Sequence, residues 1–147
     1  MKRIYFAAPL FCEAEKNFNS ELAAVLEEAG YSVFLPQRDG LEAAAMQGLT
    51  EEEKALKIFA ADISEIDGAD ALFMVLDGRV PDEGACVELG YAYARGKKCY
   101  GLRTDVRAAE RGLALNPMLT GCFAHIINCA HGLAAQSLKE FLHTAKR

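Results

Sequence analysis

Six consecutive apolar residues, Ala71-Leu72-Phe73-Met74-Val75-Leu76, followed by the polar turn Asp77 to Glu83, constrain the fold more than any other segment. A short run with no polar face suits a parallel strand covered by helices on both sides, where no position looks onto water. Parallel neighbours need long crossovers, so the rest of the chain must place helices between strands. Arg3 to Ala8 alternates and reads as a first strand. Asn17 to Ala29 then sets Leu22, Ala23, Val25, Leu26 and Ala29 near helical spacing and stops at Gly30. Ser32 to Leu35 reads as a short strand ended by Pro36, and Gln37 to Gly48, without a clear period, as a mobile flap over a pocket. Thr50 and Glu53 make a capping box for a helix whose apolar face, Ala55, Leu56, Ile58, Phe59, Ile63 and Ile66, continues to about Gly68.

After the apolar run, Gly84 to Arg95 reads as a helix, Lys98 to Arg103 as a fourth strand, Ala124 to Ile127 as a fifth and Leu133 to Ala145 as a closing helix. The alternation predicts an α/β three-layer sandwich of flavodoxin- or Rossmann-like type: a central parallel five-stranded sheet, right-handed crossovers, and helices on both faces. With 147 residues, 52% of them hydrophobic, the chain is one domain's worth with a sizeable core, so residues 1–147 are read as a single unit. In such sheets ligands bind beyond the carboxyl ends of the strands, near a switch in strand order.

Charge and motif content narrow the chemistry. A net charge of −5 and the lack of a Lys/Arg run argue against nucleic acid as a partner, because that affinity rests on neutralising phosphates. The apolar start, Ile4 to Phe11, is too short for a membrane span and runs into the charged Glu13 to Lys16, so no membrane partner and a cytoplasmic location are expected. Five cysteines, Cys12, Cys86, Cys99, Cys122 and Cys129, form no C-x-x-C pair; each sits among apolar neighbours and reads as a buried thiol. Neither a disulfide framework nor a zinc site is indicated, and the three histidines, all late in the chain, carry no signature of a cysteine nucleophile. No glycine-rich dinucleotide or triphosphate loop is present.

What remains is carboxylates. Glu88 lies inside an otherwise apolar helix, Gly84-Ala85-Cys86-Val87-Glu88-Leu89-Gly90-Tyr91-Ala92, just after an acidic turn. A charged oxygen taken from water needs a partner or a shifted pKa, so this position is a candidate for chemistry; the alternative is a solvated Glu favoured by the helix dipole. Asp62, on the preceding helix, and Asp82, on the turn, would reach the same sheet edge, with Tyr5 of the first strand nearby. Their plainer readings are a solvated helix position, a helix N-cap and an ordinary strand tyrosine. Carboxylates in two roles, nucleophile and proton donor, suit cleavage at an anomeric carbon through an oxocarbenium-like transition state.

The chain resembles the nucleoside 2-deoxyribosyltransferase family over nearly its whole length. Ile4-Tyr5-Phe6-Ala7-Ala8-Pro9 resembles the family's first strand and turn; Asp62-Ile63-Ser64-Glu65-Ile66 with Ala69-Asp70-Ala71 resembles its second-helix motif. Asp82-Glu83-Gly84-Ala85-Cys86-Val87-Glu88-Leu89-Gly90-Tyr91-Ala92 resembles its nucleophile motif, and Asn116-Pro117-Met118 its late Asn-x-Met element. The resemblance implies that Glu88 attacks C1′ of a 2-deoxyribosyl group and forms a covalent ester, which a second nucleobase opens with overall retention. It implies that Tyr5 holds Glu88 by a hydrogen bond, and that Asp62 and Asp82 act on the leaving base; the residues do not separate those two roles. Gly84 would join Asp62 and Asp82 in binding substrate. Asn116 and Met118 would reach into a neighbouring subunit's site, making a homo-oligomer, a dimer or a hexamer, with shared sites; individually they also read as a loop Asn before Pro and a buried Met. The substrates implied are 2′-deoxynucleosides and free nucleobases, with neither metal nor organic cofactor.

Two features depart from the family pattern. Pro36 to Leu49 carries no family motif, and the terminus Thr144-Ala145-Lys146-Arg147 is basic where some members end in an aromatic residue. Two other readings stay open beside base exchange. One is an N-glycosidase of 2′-deoxynucleosides or their 5′-monophosphates, using the same Glu with water as acceptor. The other is a non-catalytic nucleotide-sensing module of the same fold. Tyr91 and Arg95, three and seven residues after Glu88, are read as sharing its helix face, Tyr91 as packing support.

Overall fold

Five parallel strands form one sheet in the order β2-β1-β3-β4-β5 in the computed structural model, which describes residues 2–107 and 112–145. The strands are β1 (Arg3–Ala7), β2 (Ser32–Phe34), β3 (Ala71–Val75), β4 (Lys98–Arg103) and β5 (His125–Asn128). Register runs Tyr5 beside Phe34 on one side and beside Leu72 on the other, and Phe73 beside Tyr100. Helices α1 (Glu13–Glu28), α2 (Pro36–Asp39), α3 (Glu51–Gly68), α4 (Glu83–Ala94), α5 (Pro117–Thr120) and α6 (Ala134–Ala145) connect and cover them. The chain steps from β1 outward to β2, then returns past β1 to β3. That reversal makes the carboxyl ends of β1 and β3 the switch point where a crevice opens.

Period-two alternation within each strand builds two cores. Ile4, Phe6, Phe73, Val75 and Leu102 pack on one face with Phe18, Leu22 and Leu26 of α1 and Leu138 and Leu142 of α6. Tyr5, Ala7, Leu72 and Met74 pack on the other with Ile66 of α3 and Ala85, Leu89 and Ala92 of α4. The central run is buried from Leu72 through Leu76, as a strand sandwiched between helical layers must be. Gly101 of β4 is glycine for a steric reason: a Cβ there would come within 2.9 Å of Leu76 Cδ1 and 3.2 Å of Phe123.

Several expectations are corrected. Helix α1 starts at Glu13, four residues before the expected Asn17, because Glu15 turns back to the backbone of Cys12 and closes a capping box there. Of the five cysteines only Cys99 is buried; Cys12 is exposed at that helix start, and Cys86, Cys122 and Cys129 are half-buried. Apolar sequence neighbours belong to opposite faces of a helix or strand and do not enclose a thiol. The segment Gln37 to Gly48, read as a mobile flap, carries most of α2 and a 3-10 turn, Ala43–Ala45. Asp39 accepts from Leu35 N and pairs with Arg38, whose guanidinium also bonds Glu27 and the Val33 carbonyl, fastening α2 to the end of β2. The apolar face expected for α3 is not a core face: Ile66 alone is buried, while Leu56 and Phe59 are 62% and 58% exposed. Lys146 and Arg147 lie outside the described residues. Among those described, no helix is long and apolar enough to cross a membrane, and no cluster of His, Cys, Asp or Glu could hold a metal ion.

Candidate active site

Three elements converge at the carboxyl end of the switch point. Residue 5 of β1 points to the α3/α4 face, where its ring stacks on Phe34 with centroids 5.5 Å apart and the plane tilted 22°. The tyrosine is fully buried by accessible surface, and its hydroxyl donates to Glu88 Oε1 at 2.6 Å. A bond that short to a carboxylate oxygen is charge-assisted when Glu88 is ionised. Burial, reinforced by the Glu88 charge, raises the Tyr5 phenol well above its usual range, so the phenol keeps its proton and serves only as donor.

Glu88 is held in place by α4, and α4 by Asp82. Asp82 is the N-cap, its Oδ2 accepting from Ala85 N at 2.9 Å, which satisfies one of the orphan donors of the first turn. Between them, Gly84 keeps the carboxylate's space open, since a Cβ there would stand 3.2 Å from Asp82 Oδ2. Six residues later the helix presents Glu88 to Tyr5. Desolvation is the main reason that the Glu88 carboxyl is pushed up to about 7; the Tyr5 hydrogen bond pulls it down, and the charges of Asp62 and Asp82 push it up again. At neutral pH the group is therefore divided between acid and carboxylate.

Asp62, half-buried on α3, is also raised, first by burial and then by the charge of Glu65. Glu65 was not anticipated. It lies one helical turn after Asp62, and its ion pair with Arg3 anchors it at the base of β1. The spacing of three from Asp62 is the sequence signal for the pairing of these two acids. The four anticipated groups, Tyr5, Asp62, Asp82 and Glu88, are thus brought together, each sensed electrostatically by or bonded to another member.

Asn116 and Met118 make no hydrogen bond to these four groups. The Asn116 side chain caps α5 by accepting from Met118 N at 2.9 Å, and Met118 is 80% exposed, the opposite of a buried methionine. Tyr91 packs against the α3/α4 core as expected, and its hydroxyl also bonds Asp67; Arg95 donates to the same carboxylate at 2.8 Å, tying the ends of α3 and α4 together. Burial and the neighbouring acids raise the Cys86 thiol, which keeps the thiol protonated and makes it a poor nucleophile beside Glu88.

The double duty of Asp82 gives a separable prediction. Asp82→Ala should cost about 1 kcal/mol of stability by removing the cap, whereas Asp82→Ser should restore it. Neither should restore turnover if the carboxylate acts on substrate; full activity in the serine variant, measured beside its thermal midpoint, would reduce Asp82 to a cap.

The profile of the nucleoside 2-deoxyribosyltransferase family matches residues 4–118. Among solved structures, a 2-deoxyribosyltransferase from Bacillus psychrosaccharolyticus superposes with a TM-score of 0.74 at 25% identity, covering 93% of this chain and 90% of that one. A CMP N-glycosidase from Clostridium botulinum aligns over 99% of this chain and 98% of its own, at 25% identity and a TM-score of 0.58. The 2-desoxiribosyltransferase of Leishmania mexicana, at 22% identity and a TM-score of 0.65 over 95% and 98%, shares the fold. No curated protein matches in sequence. With Tyr5, Asp62, Asp82, Glu88 and Asn116 all inside the matched span, the chain belongs to the nucleoside 2-deoxyribosyltransferase family.

Proposed function

We propose that the protein exchanges the base of 2′-deoxynucleosides through a covalent deoxyribosyl ester on Glu88. The observation that carries this reading is the 2.6 Å bond from the buried Tyr5 hydroxyl to Glu88, set among two further carboxylates. Ionised Glu88 attacks C1′ while the C1′–N bond to the base breaks, and the bonding pair leaves with the base. Tyr5 fixes one oxygen of the nucleophile and leaves the other to react. Asp62 and Asp82 act on the departing base, one carboxyl donating to its ring nitrogen and the other accepting from an exocyclic amine, and burial raises the Asp62 carboxyl above its usual range. An incoming base then attacks C1′ from the face the first base left, opposite Glu88, and the ester C1′–O bond breaks with its pair returning to Glu88, so two inversions give retention.

The test is incubation with deoxyinosine plus adenine, and separately thymidine plus adenine, with products separated chromatographically. Deoxyadenosine should form in at least one mixture. Release of free base with no new nucleoside would instead support the N-glycosidase reading, which the aligned CMP N-glycosidase makes the relevant competitor. Binding of deoxyinosine with neither product would point to a sensor.

We also propose that the working form is a homo-oligomer with shared sites. Exposed apolar groups support this: Leu56 and Phe59 on α3, Val87 beside the nucleophile, and Met118 on α5. Light scattering should give a multiple of the chain mass, and the double substitution Leu56→Glu/Phe59→Glu should lower it and reduce exchange together. A fully active monomer would overturn the shared site.

A further inference from the structure

A hollow of about 500 Å³ lies away from Glu88. It opens at the opposite, amino-terminal edge of the sheet and on the opposite face, between the starts of β1, β3 and β4 and the end of α6. Ile4 and Tyr5 are neighbours in β1, yet Ile4 lines this hollow while Tyr5 reaches the carboxylates. The floor is apolar: Ile4, Phe73, Leu138 and Leu142 belong to the α1/α6 core. The walls are aromatic, with Tyr100 set 5.6 Å from Phe141 and His125 stacked on Phe141 at 4.8 Å.

The rim is cationic. Lys2 and Lys98 both line it, both are exposed, and neither ammonium forms an ion pair among the described residues. The hydroxyls of Tyr31 and Tyr100 likewise have no hydrogen-bond partner there. The one acid in the lining, Asp70, is already committed, its Oδ2 accepting from Arg3 N at 2.7 Å. Two unpaired ammoniums and two free phenols thus surround an apolar, ring-walled space of small-ligand size, in a chain that is acidic overall.

We propose that this hollow is a second ligand site, separate from the carboxylate cluster, for a flat aromatic body bearing a single anionic group. The rings would slide between Phe73 and the Tyr100–Phe141 wall, and the anion would sit at the mouth between Lys2 and Lys98. Deoxynucleosides and free bases, uncharged at neutral pH, do not meet that description.

The test is calorimetric titration of the full chain with 2-naphthoate and 2-naphthyl phosphate, a carboxylate and a phosphate on the same ring system. At least one should bind saturably at one per chain, about tenfold or more tighter than 2-naphthylmethylamine or 2-naphthalenemethanol. Lys2→Glu/Lys98→Glu, both changes on the surface, should erase that preference while the circular dichroism spectrum and base-exchange rate without ligand stay unchanged. Saturating deoxyinosine should leave the affinity unaltered. No saturable heat with either anion, equal binding of the amine, an unchanged preference in the double variant, or displacement by deoxyinosine would each overturn the proposal.

Discussion

Glu88→Gln is expected to lower base exchange by about 10³- to 10⁵-fold while making the folded protein more stable above pH 7. The two effects have one cause. An amide cannot attack C1′, so the covalent route closes, and what activity persists reflects binding and the remaining acids. The same substitution removes an ionisation that folding opposes. Because the folded carboxyl is raised to about 7 from 4.5, its contribution to stability is complete below pH 4.5 and is lost as pH rises through about 7. Wild type therefore carries a penalty of up to about 3 kcal/mol at pH 8 that glutamine, which can still accept the Tyr5 hydrogen bond, does not. Urea denaturation of both proteins at pH 4 and pH 8 reads this directly: the variant's advantage should appear only at the higher pH. Undiminished exchange would remove Glu88 from the chemistry, and an advantage equal at both pH values would show that its carboxyl is not raised.

The second large effect is on pH dependence. If ionised Glu88 is the nucleophile, kcat/KM for a deoxynucleoside should approach a tenfold fall per pH unit below about 7, and so drop about fiftyfold between pH 7 and pH 5. Tyr5→Phe keeps the ring stacked on Phe34 but deletes the hydrogen bond that favours the charged form. A bond to a charged group is worth about 1.5–3 kcal/mol, so the acid limb should move upward by about one unit or more. The variant would then be far slower at pH 6 than at pH 9, relative to wild type. A limb that stays in place when the phenol is gone would show that Tyr5 does not tune Glu88. A flat profile from pH 5 to 8 would exclude this carboxylate as nucleophile.

Fold and site were legible to different depths for physical reasons. The run from Ala71 to Leu76 announced a doubly covered strand because burial on both faces leaves no polar position, and that one fact forced the parallel sheet. Glu88 stood out because its neighbours along α4 are apolar, so desolvation could be expected before any partner was known. The influence of Glu65 on Asp62 is written in their spacing of three on α3, whereas its ion pair with Arg3 depends on how α3 leans on β1 and is not legible in the sequence. The apolar stripe of α3 faces outward, whereas helical periodicity reports only that a stripe is apolar and is silent on whether the chain's own core or another surface covers it. Capping by Glu15, Asp82 and Asn116 set the starts of three helices, and only chemistry local to those turns, not periodicity, marks such boundaries.

The two outermost strands are brief: β2 has three residues and is followed within two positions by Pro36, and β5 has four. An intruding chain could therefore gain only a few ladder bonds at either border, too little to nucleate fibre-like stacking at high concentration. The oligomer proposed above would therefore be built through side-chain relief on the helices, a kind of contact that can be tuned or abolished by one or two surface codons without disturbing the sheet beneath.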